Sequence, residues 1–193
     1  MSTTKNLRGF LPARKRGSGT NSTGFDELPI ASGDARSMFC GDLIKTSLGN
    51  VEPVSADADF ADGVFMGCHY VANGEPKYSK YWPANTSATD IKAFVDTSPS
   101  STYFIQADAS VSSGDINTVN FGLTLGTGST FTGQSGFGVK AATRNTTILP
   151  VRAIGVLDEP GNDITIATER AFPVLEVRIV KHVDAKLSSP SGI

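Results

Sequence analysis

The sequence predicts an all-β fold: a single β-sandwich or jelly-roll-like barrel with an extended N-terminal arm. Three observations predict it. Charged residues make up only 19% of the 193 residues, and Gly, Ser and Thr are plentiful. No stretch sustains a 3.6-residue apolar period. The segment from Val64 to Pro83 alternates in the manner of two strands about an Asn73-Gly74 turn, a pair that tolerates the positive φ angles of a tight hairpin. A chain of this length buries a core without needing disulfides or metal.

Residues 1–30 read as a basic arm. Lys5, Arg8, Arg14, Lys15 and Arg16 precede the first acidic residue, Asp26, so with a net charge of −2 the remainder of the chain is acidic. That asymmetry suits an interaction tail on a solvated body and disfavours a nucleic-acid partner, since the basic cluster is short and has no aromatic stacking platform. Apolar residues punctuate the arm, so it is expected to order against a partner. Leu7, Arg8, Phe10, Leu11, Arg14, Lys15, Arg16 and Phe25 are the candidate contact residues.

The body is assigned to residues 31–187. SMFCGDLIKT reads as a strand broken at Gly41-Asp42 and resumed, followed by a turn at Leu48-Gly49-Asn50. Asp57, Asp59 and Asp62 form an acidic loop. Its sixth position is Asp62 rather than Gly and its twelfth is Cys68 rather than Glu, which excludes a helical calcium hand and leaves a solvated loop. Simple alternation in the central hairpin puts Val64, Met66, Cys68 and Tyr70 on one face and Phe65, Gly67, His69 and Val71 on the other. The returning strand sets Tyr78, Lys80 and Trp82 against Lys77, Ser79 and Tyr81, with Trp82 expected to pack on Phe65 or Met66.

IKAFVD and TYFIQADAS read as strands separated by Thr97-Ser98-Pro99-Ser100. Residues 113–139 give one sure strand through Phe121, Leu123 and Leu125, then a glycine-rich excursion anchored by Phe131 and Phe137. That run lacks the GxxxxGK[ST] order of a phosphate loop. ILPVRAIGVLD and FPVLEVRIVKHV are the final strands, the latter with Leu175, Val177 and Ile179 facing inward. Residues 188–193 are a tail.

Little here points to catalysis. His69 and His182 sit among ordinary strand residues, and no motif marks an activated nucleophile. Cys68 and His69, adjacent on a strand, point to opposite faces. No pair among the nineteen acids is singled out for glycoside hydrolysis. No cofactor or metal is expected. Cys40 and Cys68 are expected as unpaired, shielded thiols. With no signal-peptide core and no apolar span long enough to cross a bilayer, synthesis and assembly in a reducing cytosol are expected, without a membrane partner.

GVFMGCHYVANGEPKYSKYWPANT at 63–86, YFIQADAS at 103–110, and LPVRAIGVLDEPGND followed by VLEVRIVKH resemble the capsid decoration, or cement, proteins of tailed bacteriophages. The likeness runs from about Ile30 to His182 and rests on the order of several blocks. It implies a non-enzymatic virion protein that binds the outer surface of an icosahedral head, commonly as a homotrimer over local threefold positions, and stabilises the major capsid protein lattice. The alternative is a glycan-binding module of a phage fibre or spike that stacks sugars on Trp82, Tyr81 and Tyr78. A polysaccharide-cleaving β enzyme is a third.

Overall fold

The computed structural model describes residues 4–16, 24–57, 59–162, 164 and 171–184. Within them the chain forms, in order, β1 (Leu11–Lys15), β2 (Asp26–Leu28), β3 (Met38–Phe39), β4 (Leu43–Ser47), β5 (Asn50–Pro53), β6 (Gly63–Ala72), β7 (Glu75–Ser79), β8 (Tyr81–Trp82), β9 (Thr89–Asp96), β10 (Ser101–Gln106), β11 (Asn120–Thr124), β12 (Gly138–Asn145), β13 (Val151–Val156) and β14 (Val174–Ile179). The fold is all-β and sandwich-like, as the alternation predicts.

One sheet has the order β1-β10-β14-β13-β11-β12, every pairing antiparallel. Its far strand curls back toward its near side: Ala107 bridges Val139, and the Asp108 N–H donates to the Val139 carbonyl at 2.9 Å. Such curling follows from strand twist and from the bulge that shifts register between Ala153 and Gly155. Alternate residues then converge inside. Tyr103 and Ile105, Phe121 and Leu123, Val139 and Ala141, Val151 and Ala153, and Leu175, Val177 and Ile179 form one buried core.

The second sheet, β2-β9-β6-β4-β5 with β7 also on β6, is covered on both faces. Leu43 and Val64 join the first core, while their neighbours Ile44 and Phe65 join a second core with Cys68, Tyr70, Ala93, Val95, Met38 and Trp82. Met38 and Trp82 belong to the two-stranded β3-β8 sheet that closes this second core. The molecule therefore has three layers, and β6 reads as a nearly continuous apolar run because none of its residues is exposed, whereas β4 is buried only through Leu43 and Ile44.

The expected faces of β6 are corrected by a bulge. Register against β9 shifts between Phe65 and Gly67, where Gly67 has φ 147°, a conformation that favours glycine. The extra residue reverses the alternation, so Phe65 shares a face with Cys68 and Tyr70, while Val64 and Met66 face the first core. The hairpin turn itself is as expected, with Asn73 at φ 55° and Gly74 at φ 77°. Its returning strand ends at Ser79, and Tyr81 and Trp82 leave to pair with Phe39 and Met38. Trp82 thus packs edge-on to Tyr70, ring centres 5.1 Å apart.

The arm is corrected more deeply. Its described residues belong to the body: β1 lies on β10, β2 lies on β9, and Phe10 and Ile30 are buried in the first and second cores. The remainder of the arm, residues 1–3 and 17–23, and the tail at 188–193 fall outside the described residues. Two further strands, β5 and β12, have no counterpart in the sequence reading. The glycine-rich excursion is not loose. Gly126 and Gly136 lie too close for a side chain on either, and Cys40 ties the loop down through its N–H to Gly133 (3.0 Å) and its carbonyl to Ser135 (2.9 Å).

Candidate interaction surfaces

The N-terminal segment is threaded through the body before it becomes β1. The Asn6 N–H donates to Gln106 Oε1 (2.6 Å), the Gly9 N–H to the Phe137 carbonyl (3.0 Å) and the Phe10 N–H to the Gly41 carbonyl (2.9 Å). Phe10 is fully buried, edge-on to Tyr103 at 5.8 Å. Its placement among the contact candidates is therefore corrected: a large apolar ring is worth more inside a β core than on a partner.

The Arg14 side chain reaches across β10 to Glu176 on β14, Nε to Oε1 at 2.7 Å and Nη2 to Oε2 at 2.8 Å. Thr102 adds a hydroxyl bond to Oε1 at 2.9 Å. Arg14 is pinned to the body through its guanidinium, although its side chain stays exposed. Leu7 and Lys15 are half-buried, while Arg8, Leu11, Arg16 and Phe25 are exposed. Arg8, Leu11 and Arg16 thus mark one outer border of the molecule. Phe25 stands apart, just before β2 on the other sheet.

The acidic loop is more than a hydrated turn, and that expectation is corrected. Asp57 accepts the Leu123 N–H at 2.7 Å; Asp59 accepts both the Ser55 and Ala56 N–H groups and pairs with Lys45 at 2.9 Å; Asp62 accepts the Thr46 N–H. Asp57 thus staples the loop to β11, and Asp59 and Asp62 staple it to β4. No group of three or more His, Cys, Asp or Glu among the described residues is placed to hold a metal.

His182 is buried, with its Nδ1 accepting the Asp184 N–H at 3.2 Å, and burial holds its pKa below the ordinary histidine value. His69 is half-buried with its ring centre 4.6 Å from that of Tyr78. Cys40 and Cys68 are free thiols, and burial pushes that of Cys68 up to about 12. Of the three rings offered for sugar stacking, Trp82 is fully buried and Tyr81 lies stacked on Phe39 at 5.5 Å; Tyr78 stands exposed.

Asp42 stands where the first strand of the body is interrupted, a place at which acids commonly face water. Here it is 3% exposed. Its Oδ2 accepts the Phe39 N–H at 2.8 Å, Oδ1 has no partner, and burial raises its pKa to about 6. It lies beside a shallow cleft of about 430 Å³ between β3, the end of β5 and the start of the glycine-rich loop.

The remaining exposed apolar side chains, Phe60 and Leu125 among them, stand between strands. Leu48 is fully exposed at the β4–β5 turn, Ile148 projects between β12 and β13, and Phe131, 97% exposed, caps the braced glycine-rich loop. No family model, curated protein or solved structure matches the chain.

Proposed function

We propose that the protein is a virion structural protein that binds the outer surface of an icosahedral phage head and stabilises its major capsid protein lattice. The observation that carries this reading is the N-terminal border. The segment holding the basic cluster runs as the outermost strand of a sheet, locked by Phe10 and Arg14, with Arg8, Leu11 and Arg16 facing out. Among the described residues no strand covers the outer edge of β1, so a partner strand can add there through main-chain hydrogen bonds. A border fixed before docking loses little conformational entropy on binding. The sequence blocks that resemble decoration proteins support the same reading. Assembly as a homotrimer over local threefold positions belongs to this proposal, and modest contacts per subunit then add through effective concentration.

The test adds purified protein to heads that lack it. The parent should decorate them and raise their resistance to heat, with a cryo-electron-microscopy map placing this border against the shell. A double variant, Arg8→Glu with Arg16→Gln, should melt like the parent yet decorate poorly. Failure of the parent to bind heads overturns the function; equal decoration by the variant overturns the border.

A further inference from the structure

A cleft of about 390 Å³ opens between the N-terminal segment and the glycine-rich loop, with Asn6, Leu7 and Arg8 on one side and Thr127, Ser129 and Thr132 on the other. Both sides are fixed. The first is held by the bonds of Asn6 to Gln106 and of Gly9 to Phe137. The second closes on itself through the Ser129 N–H to the Gln134 carbonyl (2.9 Å) and the Gly133 N–H to the Ser129 carbonyl (2.7 Å), and its ties to Cys40 anchor it. A site shaped in advance loses little conformational entropy when a ligand enters. Its volume falls within the range of about 300–1,000 Å³ usual for small-molecule sites.

The lining selects an anion. The chain has nineteen acidic residues, and none of them lines this cleft. Arg8 does line it, exposed and with no hydrogen-bond or ion-pair partner among the described residues. The hydroxyls add further donors. Ser129 Oγ accepts the Thr132 N–H at 3.4 Å and Thr132 Oγ1 accepts the Gln134 N–H at 3.3 Å, so what each hydroxyl has left to give is its proton. Asn6 and Thr127, both exposed, offer an amide and a hydroxyl that accept as well as donate. Leu7 supplies an apolar wall. A matching ligand carries a carboxylate for the guanidinium, a bond of the charge-assisted kind, together with several hydroxyls and a C–H face. Inorganic sulfate lacks the hydroxyls and the face, and a neutral sugar lacks the charge.

We propose that this cleft binds a sugar acid, a hexuronate whose carboxylate pairs with Arg8 and whose hydroxyls meet Asn6, Thr127, Ser129 and Thr132. Glycan recognition then falls here and not on Trp82 and Tyr81, whose rings are taken up by Tyr70 and Phe39. Of the three outward border residues, Arg8 alone lines the cleft. The site needs no capsid, so it stands or falls apart from the decoration of heads.

The test titrates the full chain, free of heads, with glucuronate and follows amide-proton NMR spectra. Signals of residues 6–9 and 127–136 should shift together and saturate. Glucose, inorganic sulfate and a capped aspartate should each bind at least about tenfold more weakly, the loss expected when one charge-assisted bond or the set of hydroxyl bonds is missing. Arg8→Gln should weaken glucuronate binding about tenfold or more, to the level of glucose, with an unchanged melting temperature. Lys77→Gln, which removes the same charge from exposed β7 on the other sheet, should bind like the parent. A disaccharide ending in glucuronate decides the source of the ligand: equal or tighter binding assigns a polysaccharide end, weaker binding the free acid. Absence of shifts in these two segments overturns the proposal. So does equal binding of glucose, sulfate or the capped aspartate, undiminished binding by Arg8→Gln, or an equal loss in Lys77→Gln.

Discussion

Arg14 and Glu176 meet side by side, two parallel hydrogen bonds joining the outermost strand to the third strand of the sheet across the one between them. Glu176 is 6% exposed, so the guanidinium is what allows a carboxylate to be sequestered there. Arg14 first, and Thr102 behind it, hold the Glu176 carboxyl below the usual carboxylate range against the opposing effect of burial.

A carboxyl with a depressed folded pKa stabilises the fold above its unfolded value, about 4.3 for glutamate, and loses that contribution as pH falls through the folded value. Arg14→Met should therefore melt below the parent at pH 7, and the gap should narrow as the solution is taken toward pH 3. Equal gaps at both values would mean that the pair contributes through the arginine stem alone.

Asp42 carries the opposite sign. Its folded pKa is raised to about 6 by burial, against the lowering effect of bonds from Ser135 and the Phe39 N–H. The folded state then binds more protons than the unfolded chain between about pH 4 and 6, so this group's contribution to stability rises as pH falls through that window. The difference corresponds to at most about 3 kcal/mol. Asp42→Asn keeps an oxygen for Phe39 and removes the charge. In denaturant titrations it should gain about 1–3 kcal/mol at pH 7.5 and lose that advantage near pH 4. A variant that gains nothing at pH 7.5 would show the ionised form to be well solvated.

Trp82 is 0% exposed between Tyr70 and the β3 strand. Trp82→Ala should cost about 3–5 kcal/mol, the usual range for an aromatic truncated in a core. Tyr78→Ala, at a side chain 79% exposed, should leave the denaturation midpoint nearly unchanged. A Trp82→Ala variant that unfolds like the parent would contradict the packing of the second core.

Much of this fold was legible because its strands alternate cleanly. Phe121 and Leu123, and Leu175, Val177 and Ile179, point inward as their spacing predicts. Asn73-Gly74 announced its turn by backbone chemistry alone. The misses share a physical cause: long-range partners override local pattern. Nothing near Gly67 in sequence distinguishes a bulge from a regular strand, and the register of β9 decides it. Trp82 follows Tyr78 at hairpin spacing, yet Met38 is its partner. The N-terminal segment has only scattered apolar residues, and such a segment looks unstructured until the Phe10 site and the Glu176 carboxylate are found far along the chain. Of the two expected anchors of the glycine-rich run, Phe137 is buried while Phe131 stands out, because the glycines let the loop base close beneath it.

The N-terminal segment gives the sharpest test of that last lesson. Composition alone predicts that residues 2–24 can be removed without harm to the body, since Gly, Ser and basic side chains bury little. The packing predicts otherwise. Removing them takes Phe10 out of the first core, uncovers Glu176, and strips β10 of an antiparallel neighbour. Phe10→Ala by itself should cost about 3–5 kcal/mol through the cavity it leaves beside Tyr103. The truncated chain should melt well below the parent and show faster amide exchange in β10, because both the ring and the strand that shield it are gone. A truncated body that melts with the parent and protects β10 equally would return the segment to the status of a separable arm.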